Sequence, residues 1–156
     1  TVSGVLQIDI SERIPAFIWR KDDVISVIDE KGEFIRLAAS RLDYPELPLV
    51  IGEAANLSIA DISSLMEDNQ YFLDQVRAFV RVGERRWDLV LDNNLRIMLP
   101  QTEFLAAFDR LMLMSRAGLL FSNQLSSIDM RLVERPTVRV GAASVDRLTY
   151  DSSGDL

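Results

Sequence analysis

The sequence predicts an α+β fold, a mostly antiparallel β sheet with two or three helices packed on one face. Runs at 76–82, 86–91 and 95–99 alternate apolar and polar residues, the period of half-buried strands. Only the turn-prone "GERR" and "DNN" separate them. Two β-rich runs nearer the start, Val24–Ile28 and Phe34–Leu37, flank "DEKG", which reads as a hairpin turn. Two stretches, after Ser58 and after Thr102, instead space their apolar residues with the helical period.

The elements follow in order. Leu6, Ile8 and Ile10 alternate with Gln7, Asp9 and Ser11, a strand signal. Pro15 has no N–H and interrupts pairing, after which Ala16 to Trp19 form a second short strand. In the following hairpin, Gly32 suits the positive φ of the turn. "LDYPELPLVIG" is extended as far as Gly52, because the residue before each proline is pushed out of the α region. Ser58 is the expected N-cap of a helix carrying Ile59, Ile62, Leu65 and Met66, with Asp61 three residues on in place of the usual Glu. "NQYFLDQ" adds a further turn or two. The three alternating runs then make an antiparallel meander that Pro100 ends. Thr102 caps the next helix, whose stripe is Phe104, Leu105, Phe108, Leu111 and Met112, and Gly118 stops it. Two more strands follow, "LSSIDMRLV" and "TVRVGA". Residues 143–156 are polar, rich in Ser, Asp and Gly, and are expected to be disordered.

A chain of 156 residues supports one ordinary core. Its net charge of −7 repels phosphate backbones, so nucleic acid is not the expected partner. The absence of Cys and His removes thiol nucleophiles, imidazole bases, zinc fingers and Ser-His-Asp triads together. No apolar run approaches the roughly 18 residues of a membrane-spanning helix. Carboxylate-dependent hydrolysis would need two acids facing one cleft, whereas the Asp and Glu residues fall mostly in turns or on exposed faces. Asp129, in "SIDMR", lies between two inward apolar residues and should face solvent or a neighbouring Arg. "DEKG" and "DNN" lack the ligand density of a calcium loop. Trp19 and Trp87 read as packing residues, and Arg85 and Arg86 beside Glu84 as a solvated hairpin tip or a contact point for another protein. No catalytic residue, metal ligand or cofactor is expected.

The order "ISERIPAFIW", "SVIDEKGEFI", "LPLVIG", "RRWDLVLDNNLRIML" and "LSSIDMRL" resembles the extracytoplasmic part of the bacterial cell-division proteins FtsQ and DivIB, from about Leu6 to about Val140. The resemblance implies a single-pass inner-membrane protein enriched at the division septum, with its bulk in the periplasm: a cytoplasmic tail, one membrane helix, a small POTRA domain, then a β domain. On that expectation residues 1–13 are the last POTRA strand and the junction, residues 14–142 the β domain, and the chain starts within a longer anchored protein. Glu12 and Arg13 could pair across the two domains, and Pro15 would fix their relative direction.

The resemblance also implies a non-enzymatic scaffold that binds FtsB, together with FtsL, and other division proteins such as FtsW and FtsI. Its docking mode is strand addition at the C-terminal edge, where main-chain bonds give affinity and alternate side chains give specificity. The matching positions are Arg131, Leu132, Val133, Glu134, Arg135, Pro136, Thr137, Val138, Arg139 and Val140. Arg131, Arg135 and Arg139 would suit an acidic partner segment. Where better-known relatives carry Tyr, Ser-Gly and Trp, this chain has Leu132, Glu134-Arg135 and Val140. The alternatives are a POTRA-type protein of outer-membrane assembly or secretion, or an edge whose charges only blunt aggregation.

Overall fold

The structure, a computed structural model, describes residues 12–120, 124–132 and 134–141. The strand expected at Leu6–Ile10, the tail at 143–156 and the docking position Val133 lie outside the described residues. Among the described residues nine strands form one sheet: β1 (Phe17–Lys21), β2 (Val24–Ile28), β3 (Phe34–Leu37), β4 (Leu49–Ile51), β5 (Val76–Val82), β6 (Arg86–Leu91), β7 (Arg96–Met98), β8 (Leu125–Asp129) and β9 (Thr137–Val140). Three helices accompany them, α1 (Ile59–Asp68), α2 (Gln70–Leu73) and α3 (Phe104–Arg116). The spatial order is β3-β2-β1-β4-β5-β6-β7-β8-β9, so among the described residues β3 and β9 are the two edges.

The α+β class and the antiparallel majority hold, with three exceptions that alternation could not reveal. β4 lies between β1 and β5 and is parallel to both, and β8 is parallel to β7. A parallel neighbour needs a crossover, and the sequence supplies two. The α1–α2 segment returns the chain from β4 to β5, and α3 returns it from β7 to β8.

The core forms where the helices meet one face of the sheet. Ile59, Ile62 and Leu65 of α1, Phe72 and Leu73 of α2, and Ala107, Phe108 and Leu111 of α3 bury against Val50, Phe79, Leu89, Ile97 and Ile128. The register places those five strand residues in one cross-sheet row. Phe72 and Phe108 meet edge to face at 5.9 Å, which joins α2 to α3. Trp87 is fully buried, whereas Trp19 is half-buried and donates its indole N–H to the Gly52 carbonyl at 3.0 Å.

Local chemistry at the helix ends departs from expectation. Ser58 makes no side-chain cap, because it closes a 3-10 turn, Ala55–Ser58, that runs straight into α1. Thr102 is not the N-cap of α3. Glu103 holds that place at φ +58 without a side-chain bond. Leu105 is exposed, since 104, 108 and 111 define the buried line and 105 lies about 100° around the helix from it. Gly118 does stop α3, at φ +74, with its N–H on the Ser115 carbonyl.

Candidate functional site

The C-terminal edge of the described sheet is built outward from β6. β7 adds antiparallel to β6, β8 parallel to β7, and β9 antiparallel to β8. Among the described residues β9 has a neighbour on one side only. Gly141 N–H donates inward to Gln124 O at 2.7 Å. Successive residues of a strand direct their N–H and C=O to opposite sides, so 139 also faces β8 while Val138 and Val140 offer these groups to the outside. Both valines are half-exposed, at 49% and 41%.

Asp129 ends β8 and turns the chain. Its carboxylate accepts the backbone N–H of Arg131 at 3.0 Å and the Arg131 Nε–H at 2.9 and 3.0 Å. The Arg131 guanidinium beside it holds the Asp129 carboxyl below its ordinary range. Arg135 N–H then closes a tight turn on the Leu132 carbonyl at 2.9 Å, and Pro136 leads into β9. Leu132 is exposed at the rim. Asp129 therefore faces an adjacent Arg, as its alternation required. The structure brings Arg131, Thr137, Val138, Arg139 and Val140 around one shallow trough of about 970 Å³. Leu132 and Arg135 border the adjoining hollow.

The inner wall of that trough holds residues that sequence reasoning did not single out as a unit. Asp88 of β6 is fully buried and accepts from Arg86 Nε at 3.2 Å and Arg96 Nε at 2.9 Å. Arg86 and Asp88 are two apart in one strand and so share a face, the signal that could have found them. Arg85 and Arg86 were read as one hairpin tip. The structure divides them, with Arg85 exposed at the turn and Arg86 on the trough wall.

The junction residues lie toward the opposite end of the strand order. Arg13 does not pair with Glu12; it binds Asp29 at 3.0 Å and approaches Glu33 at 3.6 Å, both in the β2–β3 turn. Pro15 follows, and Ala16 N–H joins the sheet on the Ile28 carbonyl. A further hollow, between α1 and the start of α3, contains Arg81 stacked over Trp87 at 4.9 Å, with Asp61 4.0 Å away. Among the described residues no group of three His, Cys, Asp or Glu could hold a metal, and no helix is long and apolar enough to cross a membrane.

The family model described as Cell division protein FtsQ/DivIB, C-terminal, matches residues 17–131, from the start of β1 to the Asp129 turn. The chain belongs to the FtsQ/DivIB family. The cell division protein FtsQ of Jannaschia sp. (strain CCS1) is 39% identical over 145 residues, 93% of this chain and 47% of that protein. The FtsQ of Dinoroseobacter shibae is 36% identical over 146 residues, covering 94% and 49%. The FtsQ of Rickettsia felis is 30% identical over 128 residues, covering 82% and 47%. The chain thus spans about half the length of these FtsQ relatives. Among solved structures, the major extracytoplasmic domain of DivIB from Geobacillus stearothermophilus aligns with a TM-score of 0.45 at 12% identity, covering 60% of this chain and 83% of that one. FtsQ/DivIB is a family of cell-division proteins.

Proposed function

We propose that this chain is a non-enzymatic scaffold of the divisome whose β9 edge receives a strand from FtsB, carried in complex with FtsL. The reading places it in the periplasm, as part of a protein held in the inner membrane by an N-terminal helix, linking early and late division proteins such as FtsW and FtsI at the septum. Residues 1–13 would then be the end of a POTRA domain, and residues 14–142 the β domain.

The supporting observation is the outer side of β9, which has no neighbouring strand among the described residues and toward which Val138 and Val140 direct backbone donors and acceptors. A strand added there would gain main-chain bonds, and its acidic side chains would meet Arg131, Arg135 and Arg139. Because the N–H of Val138 faces outward, Val138→Pro removes one edge donor without breaking a β8–β9 bond. A purified periplasmic FtsB–FtsL complex should bind this chain and fail to bind the Val138→Pro variant, whose fold is checked by circular dichroism. Undiminished binding by the folded variant rejects strand addition at this edge.

A further inference from the structure

The turn between β2 and β3 is fixed far more firmly than a hairpin requires. Asp29 is buried and its Oδ1 accepts the N–H groups of Lys31 and Glu33, both at 2.9 Å, which shapes the turn. Two groups anchor the turn from the helical side. Asn56 Nδ2 donates to the Gly32 carbonyl at 3.2 Å, and Ser63 Oγ donates to the Glu30 carbonyl at 3.1 Å. Gly32, at φ +82, packs so closely that a Cβ would lie 1.9 Å from the Asn56 carbonyl oxygen. The remaining oxygen of Asp29, Oδ2, is used for Arg13.

Arg13 stands ahead of β1, and among the described residues the first backbone bond tying that segment into the sheet is that of Ala16. Glu33 flanks the same guanidinium at 3.6 Å. A free segment leaving a strand has wide angular freedom, because each unrestrained residue samples several backbone wells. A charged tether three residues beyond that sheet bond narrows it. The tether is attached to a rigid body, since the turn that carries Asp29 is bonded to both the sheet and α1.

We infer that Asp29 is a positioning residue, and that its contact with Arg13 sets the direction in which the chain preceding β1 leaves the sheet. The partner is a segment of the molecule itself, and the device is independent of the β9 edge. Glu12 is the position just outside the clasp, so its spread reports whether the clasp holds.

The chain has no cysteine, so spin labels can be attached at Glu12→Cys and at Leu113→Cys, the latter exposed on α3. Pulsed electron–electron distance measurement should give a narrow distribution. Asp29→Asn keeps the oxygen that shapes the turn but loses the ionic tether. Arg13→Gln loses the tether without touching the turn. Each should lose the narrow component, the double variant should broaden no further, circular dichroism should show the fold retained, and the β9 partner binding should stay unchanged. A distribution that remains narrow in Arg13→Gln overturns the inference, as does broadening that adds up in the double variant.

Discussion

Replacing Asp88 with Ala should loosen the end of the sheet on which the proposed docking edge stands. The carboxylate is fully buried and bridges two strands, binding Arg86 of its own strand and Arg96 of β7, whose Nη2 lies 2.8 Å away. Deleting one partner of a fully buried pair costs about 3–5 kcal/mol, because a charge is left without compensation. Here the side chains left behind are 20% and 48% exposed, so water can solvate both. That discounts the loss to roughly 2–3 kcal/mol. For a chain of this length, each kcal/mol moves the melting midpoint by about 2–4 °C, giving a fall of roughly 4–12 °C. Thermal melting followed by circular dichroism reads the loss directly. Hydrogen exchange should quicken first across β7, β8 and β9, which hang outward from this pair. A midpoint within about 2 °C of the parent would show that the carboxylate does not hold the two strands together.

Other consequences are as direct. Gly32→Ala, with its Cβ forced against the Asn56 carbonyl at a positive φ, should destabilise by about 2–4 kcal/mol in urea melts, more than Gly118→Ala, which carries the strain of φ +74 but meets no neighbour. Asp29 and Asp129 both titrate below the ordinary value of 3.8. For Asp29, burial alone would raise the value, but the backbone N–H groups of Glu33 and Lys31 together with Arg13 outweigh it. Each group's stabilisation is therefore complete above the unfolded carboxyl value and lost as pH falls below it through the folded one. Urea melts at descending pH should show an acid limb that Asp29→Asn and Asp129→Asn each make shallower, and identical limbs would remove both carboxylates from the account.

What the sequence disclosed depended on whether the controlling interaction was local. The β2–β3 hairpin, the β5–β6–β7 meander and the stop at Gly118 were legible because turn chemistry and alternation lie within a few residues of one another. The parallel placement of β4 was not, since Val50 alternates the same way whether its neighbour is parallel or antiparallel, and the choice is made by distant Phe79 and Trp19. Thr102 and Ser58 were plausible caps by type, yet each cap depends on φ and ψ that the preceding turn dictates. In the site, Asp129 was read correctly from its flanking apolar residues. Asp88 sits in an equally apolar run, but its partner Arg96 is eight residues away, and only the β6–β7 register joins them. Arg13 likewise found its partner across sixteen residues rather than beside it.

The two edges of the sheet differ in what they could accept. β3 exposes Phe34 and Leu37, but the edge strand itself is bulged at Ile35, which has no partner between the Val27–Arg36 and Ile28–Phe34 pairs, and Arg36 is drawn over the Tyr44 ring at 5.4 Å. A bulge twists an edge away from a regular incoming ladder. At β9 the irregularity falls on the inner strand, between Leu125 and Ser127, leaving the outer strand evenly spaced. The surrounding charge is inverted as well. The chain as a whole carries −7, yet among the described residues that line the two hollows at this edge Arg86, Arg96, Arg131, Arg135 and Arg139 outnumber Asp88 and Asp129. Screening in physiological salt limits exposed charges to about 8 Å, so an approaching segment responds to that local surplus more than to the acidic remainder. On the proposed strand addition, the regular outer backbone of β9 would supply the attraction common to any strand, and the arginines would bias the choice toward an acidic one.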